Sequence, residues 1–169
     1  TLAAMWLFHN AGLDAVVLEV GRGGRLDAVN VWDADCAVVT SVDLDHQQFL
    51  GKTREAIGFE KAGIFRARRP AICGDADPPA SLLAHAAQIG AELLRVGENI
   101  HVEVGEVGWT CRVGCNDGAN VHPACTPRDF PALPRLAMPG RHQYANAACA
   151  VAALWSLHER LPVSINALR

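Results

Sequence analysis

The sequence predicts an α/β fold: a mostly parallel sheet flanked by helices, with a β-hairpin section near 98–137. Three observations predict it. Short apolar runs alternate with helix-length segments from the start of the chain to residue 96, as in successive βα units. After Gly97 the apolar residues recur with period two. Of the 169 residues, 50% are hydrophobic and 20% charged, enough for one domain to bury a real core.

Each element has its own signal. Residues 2–10 read as a helix closed by Gly12. The run Ala15-Val16-Val17-Leu18 reads as a buried strand over 15–20, and residues 35–40 as a second strand. A helix is expected from about Arg54 to Phe65, with Thr53 as N-cap. Residues 70–74 form a third strand, and 78–89 a helix with Gly90 just past its end. Residues 91–96 form the fourth strand. Residues 101–104 and 107–113 alternate as hairpin strands, and a proline-containing stretch from Pro123 to Pro139 ends that section. Residues 141–158 form an Ala-rich helix, apolar nearly all round and expected to be buried. The last residues, 164–169, look like the beginning of a further helix.

The net charge of −3 gives no electrostatic footprint for nucleic acid or an anionic membrane. No apolar run approaches the roughly 20 residues needed to span a bilayer. The apolar start, Thr1 to Phe8, lacks the basic region and cleavage site of a signal peptide. Both termini are abrupt, so the chain reads as an internal fragment. Of the six cysteines, Cys36, Cys73 and Cys149 sit in apolar elements as small buried hydrophobes. Cys111, Cys115 and Cys125 match no standard zinc spacing, and a reducing, cytoplasmic setting is expected.

The chemistry concentrates at strand ends. Leu18-Glu19-Val20-Gly21-Arg22-Gly23-Gly24-Arg25-Leu26 delivers a carboxylate, Glu19, into a glycine-rich turn, an arrangement suited to holding charge against the backbone. Ser41-Val42-Asp43-Leu44-Asp45-His46 follows the second strand. If the two strands are neighbours, Glu19, Asp45 and His46 converge where doubly wound sheets bind ligands. Carboxylates there suit Mg²⁺, although His46 could equally be a satisfied loop histidine. Lys61 shares a helix face with Ile57, Ile64 and Phe65. It either snorkels to a solvent edge or is a functional lysine. Gly21-x-Gly23 lacks the third glycine of a dinucleotide fingerprint, because Leu26 stands there. No phosphate-loop motif occurs in these residues.

Four motifs in order then resemble one family. They are Leu18-Glu19-Val20-Gly21 with Gly23-Gly24-Arg25-Leu26-Asp27-Ala28 and Asn30; Ser41 with Leu44-Asp45-His46 and Leu50-Gly51; Arg54-Glu55-Ala56-Ile57-Gly58 with Glu60-Lys61-Ala62-Gly63-Ile64-Phe65; and Pro139-Gly140-Arg141-His142-Gln143 with Asn146-Ala147-Ala148. Together they resemble the bifunctional dihydrofolate synthase/folylpolyglutamate synthase family of the Mur ligase superfamily. The likeness is weakest in the 98–130 hairpin region.

The resemblance implies a partial central ATPase domain of Mur ligase type over residues 1–169. The upstream phosphate loop and the C-terminal glutamate-binding domain would be missing, so the fragment alone is expected to be inactive. It implies an ATP-dependent amide ligase that activates a pteroate or folate carboxylate as an acyl phosphate for attack by L-glutamate. By the same resemblance Glu19 and His46 bind Mg²⁺ (Mn²⁺ being the alternative), and Lys61 matches a lysine that is carbamylated. Lys61 and His46 would be the catalytic pair. Asn146 matches an adenine-contacting asparagine, its alternative being a helix-surface amide. Arg25 and Asp27 lie on the pterin side or simply order the loop. Arg22 and Val29 depart from the common aliphatic residue and Thr. The expected partners are dihydropteroate, reduced folates and L-glutamate, with no nucleic acid or membrane, in a monomer. A cell-wall precursor ligase and a non-catalytic nucleotide- or pterin-binding module are the other readings. Gly-Gly-Arg-Leu-Asp-Ala and Pro-Gly-Arg-His-Gln favour the folate branch.

Overall fold

The computed structural model describes residues 1–44, 50–114 and 127–168. Helix α1 is Leu2–Asn10. A parallel sheet follows, in the order β1 (Ala37–Val39), β2 (Pro70–Cys73), β3 (Glu92–Arg95). Helices α2 (Arg54–Ala62) and α3 (Ala80–Ile89) connect its strands. An antiparallel sheet is formed by β4 (Ile100–Val104), β5 (Gly108–Val113) and β6 (Arg128–Pro134). Helix α4 is Arg141–Ser156, and a 3-10 turn over Ile165–Leu168 stands where a helix beginning was expected.

Side chains of β2 alternate between two cores, as the pleat requires. Ala71 and Cys73 face α2 and α3 with Ile57, Phe65, Leu82 and Ala86. Ile72 faces the other way, into a core shared with the antiparallel sheet and α4, where Trp109, Phe130, Leu133 and Ala152 are buried. Ile57, Ile72 and Leu82 are fully buried, each worth about 1.5–3 kcal/mol of apolar transfer.

Most expected elements form, with shifted ends. Helix α2 stops at Ala62, short of Phe65, and Thr53 caps it by accepting from the Ala56 amide at 3.2 Å. Helix α3 starts at Ala80 because Pro78 and Pro79 precede it. Glu55 caps it from α2, accepting the Ala80 and Ser81 amides at 3.2 and 2.7 Å. Gly90 closes it with φ +67.

Three expectations are corrected. Residues 15–20 form no strand and are not buried: Val17 is 88% exposed and Glu19 is exposed. An extended segment becomes a strand only when a neighbour takes up its amides and carbonyls, and among the described residues β1 pairs only with β2. With Trp6, Leu13 and Trp32, Val16 instead lines an open apolar groove against α1. The proline-containing stretch hides strand β6, paired antiparallel with β5. Pro131 and Pro134 are tolerated because β6 is an edge strand. Finally, α4 buries one face only, through Ala148, Cys149, Val151 and Ala152, and leaves Asn146 and Ala150 exposed.

Candidate functional site

The glycine loop is seated on the C-terminal half of α2. The Arg25 amide donates to the Glu60 carbonyl at 2.8 Å. Gly24 lies so close that a Cβ there would stand 2.6 and 2.9 Å from the carbonyl oxygens of Glu60 and Lys61. Gly63, just past the helix, makes the reciprocal approach: a Cβ there would meet the Arg25 Cα at 2.8 Å. Two glycines therefore let a loop backbone and a helix end touch.

Side chains lock the same contact. Arg25 grips the Glu60 carboxylate through Nε at 3.2 Å and Nη2 at 2.9 Å, and its guanidinium lies 5.7 Å from the Phe59 ring centre. Asp27 accepts the amides of Val29 at 2.9 Å and of Gly21 and Arg22 at 3.0 Å. It thereby caps the 3-10 turn Ala28–Val31. Both residues order the loop, one of the two roles open to them from sequence.

The amide donated by Val29, aided by those of Arg22 and Gly21, holds the Asp27 carboxyl below the usual carboxylate range against the opposing effect of burial. A carboxyl with a depressed folded pKa stabilises the fold above its unfolded value. That contribution is lost as pH falls through the folded value. Asp27→Asn is therefore expected to flatten the acid arm of a stability–pH curve below about pH 4. Urea unfolding at a series of pH values checks it, and an unchanged slope refutes the assignment.

The other expected residues divide. Glu19, two residues before Gly21, is exposed, and Lys61 is half-buried in the last turn of α2. Among the described residues neither side chain meets a hydrogen-bond or ion-pair partner. Ile57 of α2 is buried and Ile64 half-buried. Asn146 stands exposed on the second turn of α4, 3.5 Å from Gln143 Oε1. His46 and Asp45 lie outside the described residues, as do Cys115 and Cys125. The convergence of Glu19 with them therefore rests on the sequence alone, and the strand pairing it assumed is absent among the described residues.

A second latch closes the carboxyl edge of the parallel sheet. Asp75, just past β2, accepts the Val42 amide at 2.8 Å and pairs with Arg54 at 3.2 Å. Arg54 also donates to the Val42 carbonyl at 3.0 Å. Sequence reasoning missed this pair, although an Asp after a strand-ending glycine is a turn signal. The thiols of Cys36, Cys111 and Cys149 are pushed up to about 12, mainly by burial, so these cysteines act as packing groups.

Among the described residues no three His, Cys, Asp or Glu side chains group as a metal site. Glu19 supplies one free hard-oxygen donor. That donor set suits Mg²⁺ or Mn²⁺ completed by phosphates and water rather than by an all-protein cage.

A parallel sheet flanked by helices, with a glycine loop locked to a lysine-bearing helix, defines an α/β domain whose candidate site lies at that loop. The chain belongs to the Mur ligase middle domain family, which matches residues 2–154. It is 47% identical over 169 residues to the dihydrofolate synthase/folylpolyglutamate synthase of Escherichia coli K12, covering 100% of this chain and 36% of that protein. Its fold superposes on E. coli FolC in complex with DHPP and ADP with a TM-score of 0.84 at 43% identity, over 99% of this chain and 36% of that one. The bifunctional folylpolyglutamate synthase/dihydrofolate synthase of Yersinia pestis, complexed with AMPPNP and Mn ion, gives 0.82 at 42% identity, with the same coverage of 99% and 36%. The chain thus spans about a third of the length of these relatives.

Proposed function

We propose that the protein containing these residues is an ATP-dependent amide ligase. It joins L-glutamate to dihydropteroate, extends reduced folates with glutamate, or does both, through an acyl phosphate. Residues 1–169 supply part of its central ATP-binding domain, and the phosphate loop and a glutamate-binding domain come from elsewhere in the protein. It acts as a cytoplasmic monomer.

The observation that supports this reading best is the glycine loop fixed to the backbone of Glu60 and Lys61, in a chain that resembles folate ligases over its whole length. Glu19 and His46 would hold the divalent ion, and Lys61 would join them once its ammonium has lost two protons and its nitrogen has bonded carbon dioxide as a carbamate. A half-buried ammonium thus becomes an anion. Lys61 and His46 are the catalytic pair, Asn146 contacts adenine, and Arg25 and Asp27 shape the pterin side of the loop. When bound, Mg²⁺ or Mn²⁺ neutralises the negative charge that gathers on the phosphates and at the acyl centre.

The test is phosphate release from ATP by the full-length protein with L-glutamate, offering dihydropteroate, a reduced folate or a cell-wall precursor in turn. Release that requires dihydropteroate or folate is expected. Release only with the cell-wall precursor would move the protein to that branch. Nucleotide binding without turnover on any acceptor would leave a binding module.

A further inference from the structure

We infer that Asn30 is a positioning residue that holds the Lys61-bearing end of α2 against the glycine loop. Its carboxamide nitrogen donates to the carbonyls of Arg25 at 3.1 Å and Gly63 at 3.0 Å. Its carboxamide oxygen accepts from Arg66 Nη2 at 2.9 Å, and the same nitrogen reaches the Asn30 carbonyl at 2.8 Å. Asn30 thus joins the loop, the helix end and the segment leaving it, across 33 residues of sequence.

The site requires a carboxamide. Two carbonyls need a donor and one guanidinium needs an acceptor, and among side chains of this size only Asn offers both. The position also explains what is held. The last carbonyls of a helix lack partners within it, so an uncapped end frays. Lys61 sits one residue before the final residue of α2, and Asn30 satisfies the Gly63 carbonyl just beyond. Arg66 Nη1 is a second donor to that carbonyl at 3.3 Å, but Arg66 is itself seated on the Asn30 carboxamide oxygen, so loss of the carboxamide loosens both contacts on the turn that follows Lys61. A displacement of about 1 Å of a reacting group can cost about 100-fold in rate.

This inference rests on the proposed role of Lys61, and its test separates the two. In the full-length protein, Asn30→Ala and Asn30→Asp are compared with wild type, with Lys61→Ala and with Asp33→Asn. Asn30→Asp keeps the size and the acceptor for Arg66 but cannot donate. Asp33 pairs with Arg66 from an exposed position and is the control. The readouts are kcat, the KM for ATP, and the affinity for Mn²⁺ alone by electron paramagnetic resonance. Both Asn30 variants are expected to lose about 10- to 100-fold in kcat with the KM for ATP changed less than about threefold. Their Mn²⁺ affinity is expected to fall toward that of Lys61→Ala, while Asp33→Asn stays at wild type. A loss of thermal stability with kcat and Mn²⁺ affinity unchanged would overturn the inference. Should Asn30→Ala not fold, Asn30→Asp decides alone. A wild-type protein without ligase activity overturns the proposed function, and the Mn²⁺ titration of Asn30→Asp still judges the positioning.

Discussion

Lys61→Ala in the full-length protein is expected to lower ATP-dependent glutamate ligation by about 10²- to 10³-fold, because the carbamate that would help hold the charge-neutralising metal ion is lost. Lys61 lies one residue before the end of a helix against which the glycine loop is packed, and among the described residues its amine has no partner that would make it a structural ion pair. On the proposed reading the nucleotide is held by groups other than Lys61, so the loss should appear in kcat more than in the KM for ATP. Lys61→Arg should fail to restore activity, because a guanidinium stays charged and cannot take up carbon dioxide as an amine does. Steady-state phosphate release with dihydropteroate and L-glutamate checks both variants. Activity within about threefold of wild type in Lys61→Ala would remove this residue from the mechanism.

Gly24→Ala is expected to destabilise the protein by about 1–3 kcal/mol, the usual cost of forcing atoms into a filled space. The added methyl would sit 2.6 Å from the Glu60 carbonyl, 2.9 Å from that of Lys61 and 3.0 Å from Ile64. Two of these neighbours are backbone, so the loop must lift and surrender its hydrogen bond from Arg25 to Glu60. Gly105 is the comparison: a Cβ there meets only the Gly108 carbonyl, at an ordinary 3.5 Å. Gly105→Ala should stay within about 0.5 kcal/mol. Urea midpoints measure both, and equal midpoints for the two variants would refute the close-packing account.

Much of this was legible in the sequence because the signals are local. Thr53 reads as a cap, Gly90 as a helix stop and residues 70–74 as a short strand, and the structure has each. What was missed depends on partners distant in sequence. Residues 15–20 have strand composition, yet a strand is a property of a pair, and no neighbour among the described residues completes it. β6 was obscured by Pro131 and Pro134, which are compatible with pairing only when their side of the strand is an edge. At the site, Glu19, Lys61 and Asn146 stood out by residue type and by resemblance. Asn30 stood in the first motif without a role and Asp75 was missed, since a carboxamide between two carbonyls or a carboxylate under an arginine is invisible until the chain has closed. Arg25 and Asp27 were noticed, but only coordinates show both spent on the loop itself.

The cap that α2 lends to α3 bears on how this region assembles. A helix of 10 residues is marginal in water by itself, and α3 has no N-terminal cap from its own side chains. Its first amides are satisfied by Glu55, which arrives only when α2 lies alongside, and the Ser81 hydroxyl returns a 2.6 Å bond to the Glu55 carbonyl. The two helices therefore open and close as one cooperative unit rather than fraying singly. Because the same α2 holds the glycine loop at its other end, local unfolding at the start of α3 reaches Lys61 through a single rigid rod.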